Sequence, residues 1–227
     1  NNGWLELLGL FIPHRCAGCD GGLMRWENSI CLRCSEELPR TRFHDDDRNA
    51  VEQLFRGKIQ LHAASAFLKF TPEGRVQHML HRLKYRGDSD VGLELGRRMG
   101  KEAMTCRRFA DVDVALAVPL HPRKLMQRGY NQAQVLVDGM CSEWPMKTLG
   151  TELMRVVRTT TQTKRSRVDR WMNVKEAFHV ADPEALRGKH VLIVDDVITT
   201  GATIEACVLA LSGIPDLRIS VFACAYA

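Results

Sequence analysis

Apolar residues recur along this chain in two rhythms. Short apolar runs, "LHAASAFLKF" (61–70), "DVDVALAVPL" (111–120), "KHVLIVDD" (189–196) and "LRISVFACAYA" (217–227), are long enough for buried strands and too short for core helices. Between them the period lengthens to that of a helix. "RVQHMLHRLKYRG" repeats Val76, Met79, Leu80 and Leu83, and the next segment puts Val91, Leu95, Met99 and Ala103 on one face with Arg97, Arg98 and Lys101 on the other. "NQAQVLVDGM" (131–140) and "ATIEACVLALSG" (202–213) read as further helices, the second closing at Gly213 in a C-cap position. Pro72, Glu73 and Gly74 form a turn, and "FHDDDRNAVEQLF" is a polar connector running into a helix, with Asp45 to Asp47 near its start. Strand and helix in repetition predict an α/β fold, a mainly parallel sheet flanked by helices. In such sheets ligands bind beyond the carboxyl ends of the strands, where Asp195, Asp196 and "PLHPRK" fall.

Composition bounds this picture. The 227 residues allow one sizeable core plus a small appended module, and 45% hydrophobic with 26% charged residues is ordinary for a globular protein. No apolar run approaches the roughly 20 residues needed to cross a bilayer, and "WLELLGLFIP" contains Glu6 and ends at Pro13, an amphipathic lead-in. That segment also lacks the basic region and cleavage site of a secretory signal, so a cytoplasmic protein is expected. The net charge of +5 is modest but uneven. Residues 155–170, "RVVRTTTQTKRSRVDR", carry Arg155, Arg158, Lys164, Arg165, Arg167 and Arg170 against Asp169 alone. Such a segment is either a mobile loop that meets an anion or a solvated basic surface.

The eight cysteines divide into two groups. Cys16, Cys19, Cys31 and Cys34 form "CAGC" and "CLRC" with eleven residues between the pairs, the spacing of two knuckles that place four thiolates around Zn²⁺ at about 2.3 Å. Gly18, Gly21 and Gly22 ease the tight turns; two disulfides or a redox pair are the alternatives. Four protein ligands close the shell, so such a zinc is structural. Cys106, Cys141, Cys207 and Cys224 lie singly among aliphatic residues and read as buried thiols. The expected organisation is a zinc-binding module over 1–42 and a second domain over 43–227.

The densest chemistry lies in "VLIVDDVITTGAT", residues 191–203. Val191 to Val194 supply a buried strand, and the chain is expected to leave the core at Asp195. "VITTGAT" then brings amides and the hydroxyls of Thr199, Thr200 and Thr203 to a helix start, with Gly201 permitting close backbone approach, which makes a phosphate site. Two carboxylates cannot bind phosphate as well, but they accept hydrogen bonds from sugar hydroxyls. The local chemistry describes a phosphate with a ribose diol beside it.

This stretch resembles the thirteen-residue fingerprint that binds phosphoribosyl diphosphate (PRPP) in type I phosphoribosyltransferases. The resemblance implies that Asp195 and Asp196 hold the ribose 2- and 3-hydroxyls, while the loop of Val197, Ile198, Thr199, Thr200, Gly201, Ala202 and Thr203 wraps the 5-phosphate. With the paired cysteines, "LKYRGD" (83–88), "VPLHPRKLMQRGYNQA" (118–133) and "TQTKRSRVDRWMNVKEAF" (161–178), most of the chain is similar to the ComF/GntX family, amidophosphoribosyltransferase-like proteins linked to competence and DNA uptake. That similarity implies a type I phosphoribosyltransferase fold in which Pro119, Leu120, His121, Arg123 and Lys124 form the pyrophosphate loop, Arg128 is a further clamp, and residues 158–170 close over the substrate. It also implies Mg²⁺ with PRPP, transfer of the phosphoribosyl group with release of pyrophosphate, and single-stranded DNA and competence proteins as partners. Family enzymes commonly continue past their fourth strand to complete a base pocket, whereas this chain stops at Ala227, so acceptor recognition is expected from the N-terminal region or not at all. An alternative therefore stands: PRPP sensing or single-stranded DNA binding without turnover, with Tyr85, Tyr130 and Trp171 available for stacking. None of the eight histidines is arranged as a nucleophile or base. G-x-x-x-x-G-K-[ST] and G-x-G-x-x-G do not occur, and the acids of "DVDVA" begin a strand where a haloacid dehalogenase-type phosphatase would need them to end one.

Overall fold

The computed structural model describes residues 15–148, 153–155 and 178–227. In chain order these form α1 (Leu32–Glu36), α2 (Ala50–Phe55), β1 (Ala63–Lys69), α3 (Arg75–Tyr85), α4 (Ser89–Met104), β2 (Val114–Ala117), α5 (Pro122–Arg128), α6 (Gln132–Cys141), β3 (Lys147–Thr148), β4 (Leu153–Arg155), β5 (Phe178–Val180), β6 (His190–Ile198), α7 (Ala202–Leu211) and β7 (Arg218–Tyr226). Five strands pair in parallel in the order β1-β7-β6-β2-β3, and β4 and β5 form a separate antiparallel ribbon.

β6 is covered on both faces, which is why its sequence is an unbroken apolar run. Leu192 and Val194 pack into one layer with α3, α4, α6 and the cysteine-bearing segment, through Cys16, Ala17, Cys34 and Met79. Val191 and Ile193 pack into the other with α2, α7 and the β4–β5 ribbon. All four are fully buried. A one-residue slip would drive Asp195 into the place of Val194, so burial fixes where the acids emerge.

Helices α4 and α6 cross at backbone contact. A Cβ on Gly96 would lie 2.2 Å from the Leu136 carbonyl oxygen, and one on Gly139 would lie 2.4 Å from that of Leu93. Backbone atoms cannot swing aside as a side chain can. Gly139→Ala is therefore expected to destabilise by about 2 kcal/mol, an overpacking penalty partly offset by alanine's helix propensity, and to lower the thermal midpoint by several degrees. An unchanged midpoint would show that the helices can part.

The feet of the strands are tied by polar groups. Asp113 Oδ2 accepts from the His190 amide at 2.8 Å, His190 Nδ1 meets Asp111 Oδ1 at 2.8 Å, and Arg218 meets Asp111 Oδ2 at 2.6 Å. Desolvation opposes ionisation of Asp111, but hydrogen bonds from Arg218 and His190 prevail and hold its carboxyl at about 2. The acids of "DVDVA" thus anchor a strand end.

Two expectations change, and a third gains its capping residue. β6 does not leave the sheet at Asp195; it runs through both acids to Ile198, because β7 continues to Tyr226 and supplies partners, Asp195 against Ala223 and Ile198 against Tyr226. Helix α7 is capped by Ser212, whose hydroxyl donates to the Leu209 carbonyl at 2.9 Å, and Gly213 is outside the left-handed region. Asn49 caps α2, its Oδ1 accepting from the amides of Val51 and Glu52, with the Asp45 to Asp47 run just before it. Residues 1–14 and 156–177, which carry the apolar lead-in and nearly all of the basic segment, lie outside the described residues.

Candidate functional site

Beyond β6 the chain enters α7 through Thr199, Thr200 and Gly201. Gly201 is the N-cap, left-handed at φ 78°, and it is buried so closely that a Cβ would sit 2.6 Å from the Phe55 ring. Only glycine satisfies both demands. It offers no capping side chain, and among the described residues no hydrogen bond engages the amides of Thr199 to Thr203. These residues and Asp195 line a cup of about 40 Å³. At ~10–15 Å³ per water-sized sphere, that is room for about three oxygens. Cavities of about 580 and 600 Å³ open elsewhere, on the Arg40 to Thr105 side and beside Leu61. Donor chemistry, not volume, distinguishes the cup: free amides and a helix N-terminus attract an anion.

Beside the cup, Asp195 and Asp196 stand half-buried on the last turns of strand, the Asp196 amide donating to Asp195 Oδ1 at 2.8 Å. Burial, then repulsion from Asp196, pushes the Asp195 carboxyl from its ordinary 3.8 up to about 8. The folded chain thus keeps a proton that the unfolded chain gives up near pH 4. This group's contribution to stability is complete below that pH and is lost as pH rises through about 8. Asp195→Asn is expected to flatten that slope and stabilise the unliganded chain at pH 8 by about 1–2 kcal/mol. Urea unfolding at pH 5 and pH 8 reads it; a slope as steep as wild type would contradict the account.

Motifs far apart in sequence converge here. Lys84, on the last turn of α3, places Nζ 3.0 Å from Asp196 Oδ2. The Tyr130 hydroxyl donates to the Leu83 carbonyl, and the Arg128 guanidinium lies over the Tyr85 ring, 5.3 Å from its centroid. Asn131 caps α6 and donates to the Val118 carbonyl at 3.0 Å, joining that helix to the end of β2. "LKYRGD", "RGYNQA" and the acid pair are thereby one assembly.

The "PLHPRK" segment is only partly a loop. Pro119, Leu120 and His121 follow β2, but Pro122 opens α5, and His121 Nδ1 caps it by accepting from the Arg123 amide at 3.2 Å. The Lys124 amide donates to the His121 carbonyl. The side chains of Arg123 and Lys124 are exposed while their amides serve the helix. Arg128 donates from Nη1 to Gln132 Oε1 at 2.7 Å, and its Nε is buried without a hydrogen-bond partner among the described residues. Tyr130 is not free for stacking, because its hydroxyl is engaged and its ring packs against the core. Trp171 lies outside the described residues.

Residues 128–214 match the phosphoribosyl transferase domain family. Over 207 residues the chain is 34% identical to the DNA utilization protein YhgH of Escherichia coli O157:H7, an alignment covering 88% of this chain and 86% of that protein. The chain belongs to the ComF/GntX family. Over 221 residues this ComF/GntX chain is also 25% identical to competence protein F of Haemophilus influenzae Rd, covering 92% of this chain and 96% of the relative. The allosteric regulatory enzyme of purine biosynthesis superposes with a TM-score of 0.42 and 18% identity, covering 62% of this chain and 29% of that one. The fold is that of type I phosphoribosyltransferases, a parallel sheet flanked by helices, with a cysteine cluster ahead of it. Among the described residues no helix is long and apolar enough to cross a membrane.

In this ComF/GntX chain the sulfurs of Cys16, Cys19, Cys31 and Cys34 gather within 4.8 Å of one another, all as free thiols. The amides of Cys31 and Gly18 point at Cys16 Sγ at 3.2 and 3.4 Å, and the Cys34 amide points at Cys31 Sγ at 3.4 Å. Burial works against a Cys16 thiolate, but backbone donation from Cys31, Gly18 and Cys19 outweighs it and brings the thiol down to about 7. Amides aimed at sulfur favour thiolates, and four converging thiolates fit a tetrahedral metal ion. Gly18 sits in close contact, since a Cβ there would lie 3.0 Å from Cys34 Sγ and 2.7 Å from the mobile end of Met79, whereas the left-handed residue of the knuckle is Asp20, at φ 56°, and neither Gly21 nor Gly22.

Proposed function

We propose that this protein binds PRPP and transfers its phosphoribosyl group with release of pyrophosphate. The observation that carries the reading is the uncapped, glycine-started helix α7 directly beside two consecutive carboxylates. The amides and hydroxyls of Thr199 to Thr203 hold the 5-phosphate, and Asp195 and Asp196 accept hydrogen bonds from the ribose diol, so that C1 faces the Pro119 to His121 loop. There the C1–oxygen bond breaks, pyrophosphate leaves with the electron pair, and an acceptor's lone pair forms the new bond to C1. The protein needs no covalent step; it needs cations on the leaving group and a fixed sugar. Arg123 and Lys124 are exposed toward solvent for that task, and Arg128 has a spare buried N–H to donate. Mg²⁺ bound to the pyrophosphate would add neutralising charge there.

The same proposal makes residues 1–42 a zinc module, with Cys16, Cys19, Cys31 and Cys34 as its closed ligand set, and residues 43–227 the phosphoribosyltransferase-like domain. Reduced thiols at metal-binding spacing suit the cytoplasm. A second reading keeps the PRPP site in a protein that binds single-stranded DNA without turnover. The 60% exposed Tyr85 backed by Arg128, and the DNA utilization and competence names of the relatives, favour it.

Pyrophosphate release from PRPP, measured over a panel of acceptors, separates the two. Release that requires Asp195 and Asp196 supports transfer. No release with any acceptor, together with DNA affinity that falls steeply with salt, supports the second reading.

A further inference from the structure

Lys84 belongs to none of the groups that the phosphate and ribose chemistry uses, yet among the described residues it is the cation in contact with the acid pair. Its side chain is 22% exposed and that of Asp196 15%, so their 3.0 Å contact is not a solvated surface bridge. The residue is also held from both sides. Leu83 before it is fully buried and its carbonyl accepts from Tyr130, while Tyr85 after it has the Arg128 guanidinium over its ring and the His81 ring beside it at a tilt of 42°. Its place on the last turn of α3 suits an ammonium, because the helix C-terminus carries partial negative charge.

We propose that Lys84 is a positioning residue of the PRPP site, its ammonium holding the Asp196 carboxylate against the ribose face and balancing the double negative charge of the acid pair. The proposal rests on the PRPP reading. Two adjacent carboxylates that must both accept hydrogen bonds from a diol have to be ionised together, and like charges at contact resist this. Among the described residues, the other groups acting on the pair or its neighbours offer little help. From β7, burial and then Asp196 push the Cys224 thiol up to about 12, and from α7 the Cys207 thiol is raised well above its ordinary value, so both are neutral. Arg155 of β4 acts on Cys207. Lys84 favours ionisation of Asp195 across the pair.

The test uses the full chain with Lys84→Gln and the charge-keeping Lys84→Arg, each first checked for a wild-type amide spectrum. Carboxyl ¹³C titration of Asp195 and Asp196 is followed without ligand, and Mg²⁺-PRPP affinity is measured by calorimetry from pH 6 to 9.5. In Lys84→Gln the pair's titration is expected to move up by about one pH unit. PRPP affinity should fall about tenfold at pH 7.5 and return toward wild type at pH 9.5. Lys84→Arg should restore most of both. An unmoved titration, or an affinity lost equally at every pH as for a merely structural contact, overturns the proposal while leaving the PRPP reading intact. A wild-type chain that binds no PRPP overturns the reading itself, and this proposal with it.

Discussion

The double substitution Asp195→Asn, Asp196→Asn is expected to lower PRPP affinity at least about a hundredfold while leaving the chain folded. Each carboxylate replaced takes away charged hydrogen bonds worth about 1.5–3 kcal/mol, and two such losses amount to about 10²–10⁴ in affinity. Asparagine keeps the shape and one acceptor, so the packing of β6 against β7 through Asp195 and Ala223 should survive. The unliganded variant should even melt later at pH 8, because a carboxyl raised to about 8 by burial and a like neighbour is a liability until a ligand uses it. Affinity loss with gain of stability is the signature of a site built for a ligand. Calorimetry and a thermal melt read the two sides, and a variant that binds PRPP as wild type does would remove the acids from the site.

The second large effect concerns the four cysteines. Atomic emission is expected to find one zinc per chain, and stripping it with a chelator, or substituting Cys16→Ser and Cys34→Ser together, should lower the thermal midpoint by about 10 °C or more. The reason is where these residues sit. Cys16 and Cys34 are fully buried, and they share their apolar cluster with Met79 of α3 and Leu95 of α4. Ion contacts between Arg75 and Glu37 and between Arg82 and Asp20 also cross from α3 to the cysteine segment. Loosening the thiolates would thus loosen the layer that holds Lys84 over Asp196. A metal-free chain with an unchanged midpoint would show that the cluster has no structural role.

What the sequence disclosed follows from how each element is stabilised. β1, β6 and β7 are buried on both faces and wrote themselves as apolar runs, and α3 and α4 carried a clear period because one face of each meets the sheet. The fingerprint was legible because phosphate, diol and helix start each demand particular residue types over a few consecutive positions. Where partners decide, the pattern was silent. β6 extends past its acids only because β7 is long enough to pair with it, and β3 is two exposed residues, Lys147 and Thr148, joined to β2. The β4–β5 ribbon spans three residues on each side, too few for an alternation to show. Helix α5 did leave a signal, since His121 before Pro122 is an N-cap followed by proline at the first helical position. The engagement of Lys84 with Asp196, and of Tyr130 with Leu83, left none, because those residues are 112 and 47 positions apart along the chain.

The most direct test of the central claim is the structure of the chain crystallised with PRPP and Mg²⁺. The account requires the 5-phosphate within hydrogen-bonding reach of the Thr199 to Thr203 amides and the ribose hydroxyls on Asp195 and Asp196. Well-ordered protein with PRPP lodged elsewhere, or with none bound at saturating concentration, would contradict it.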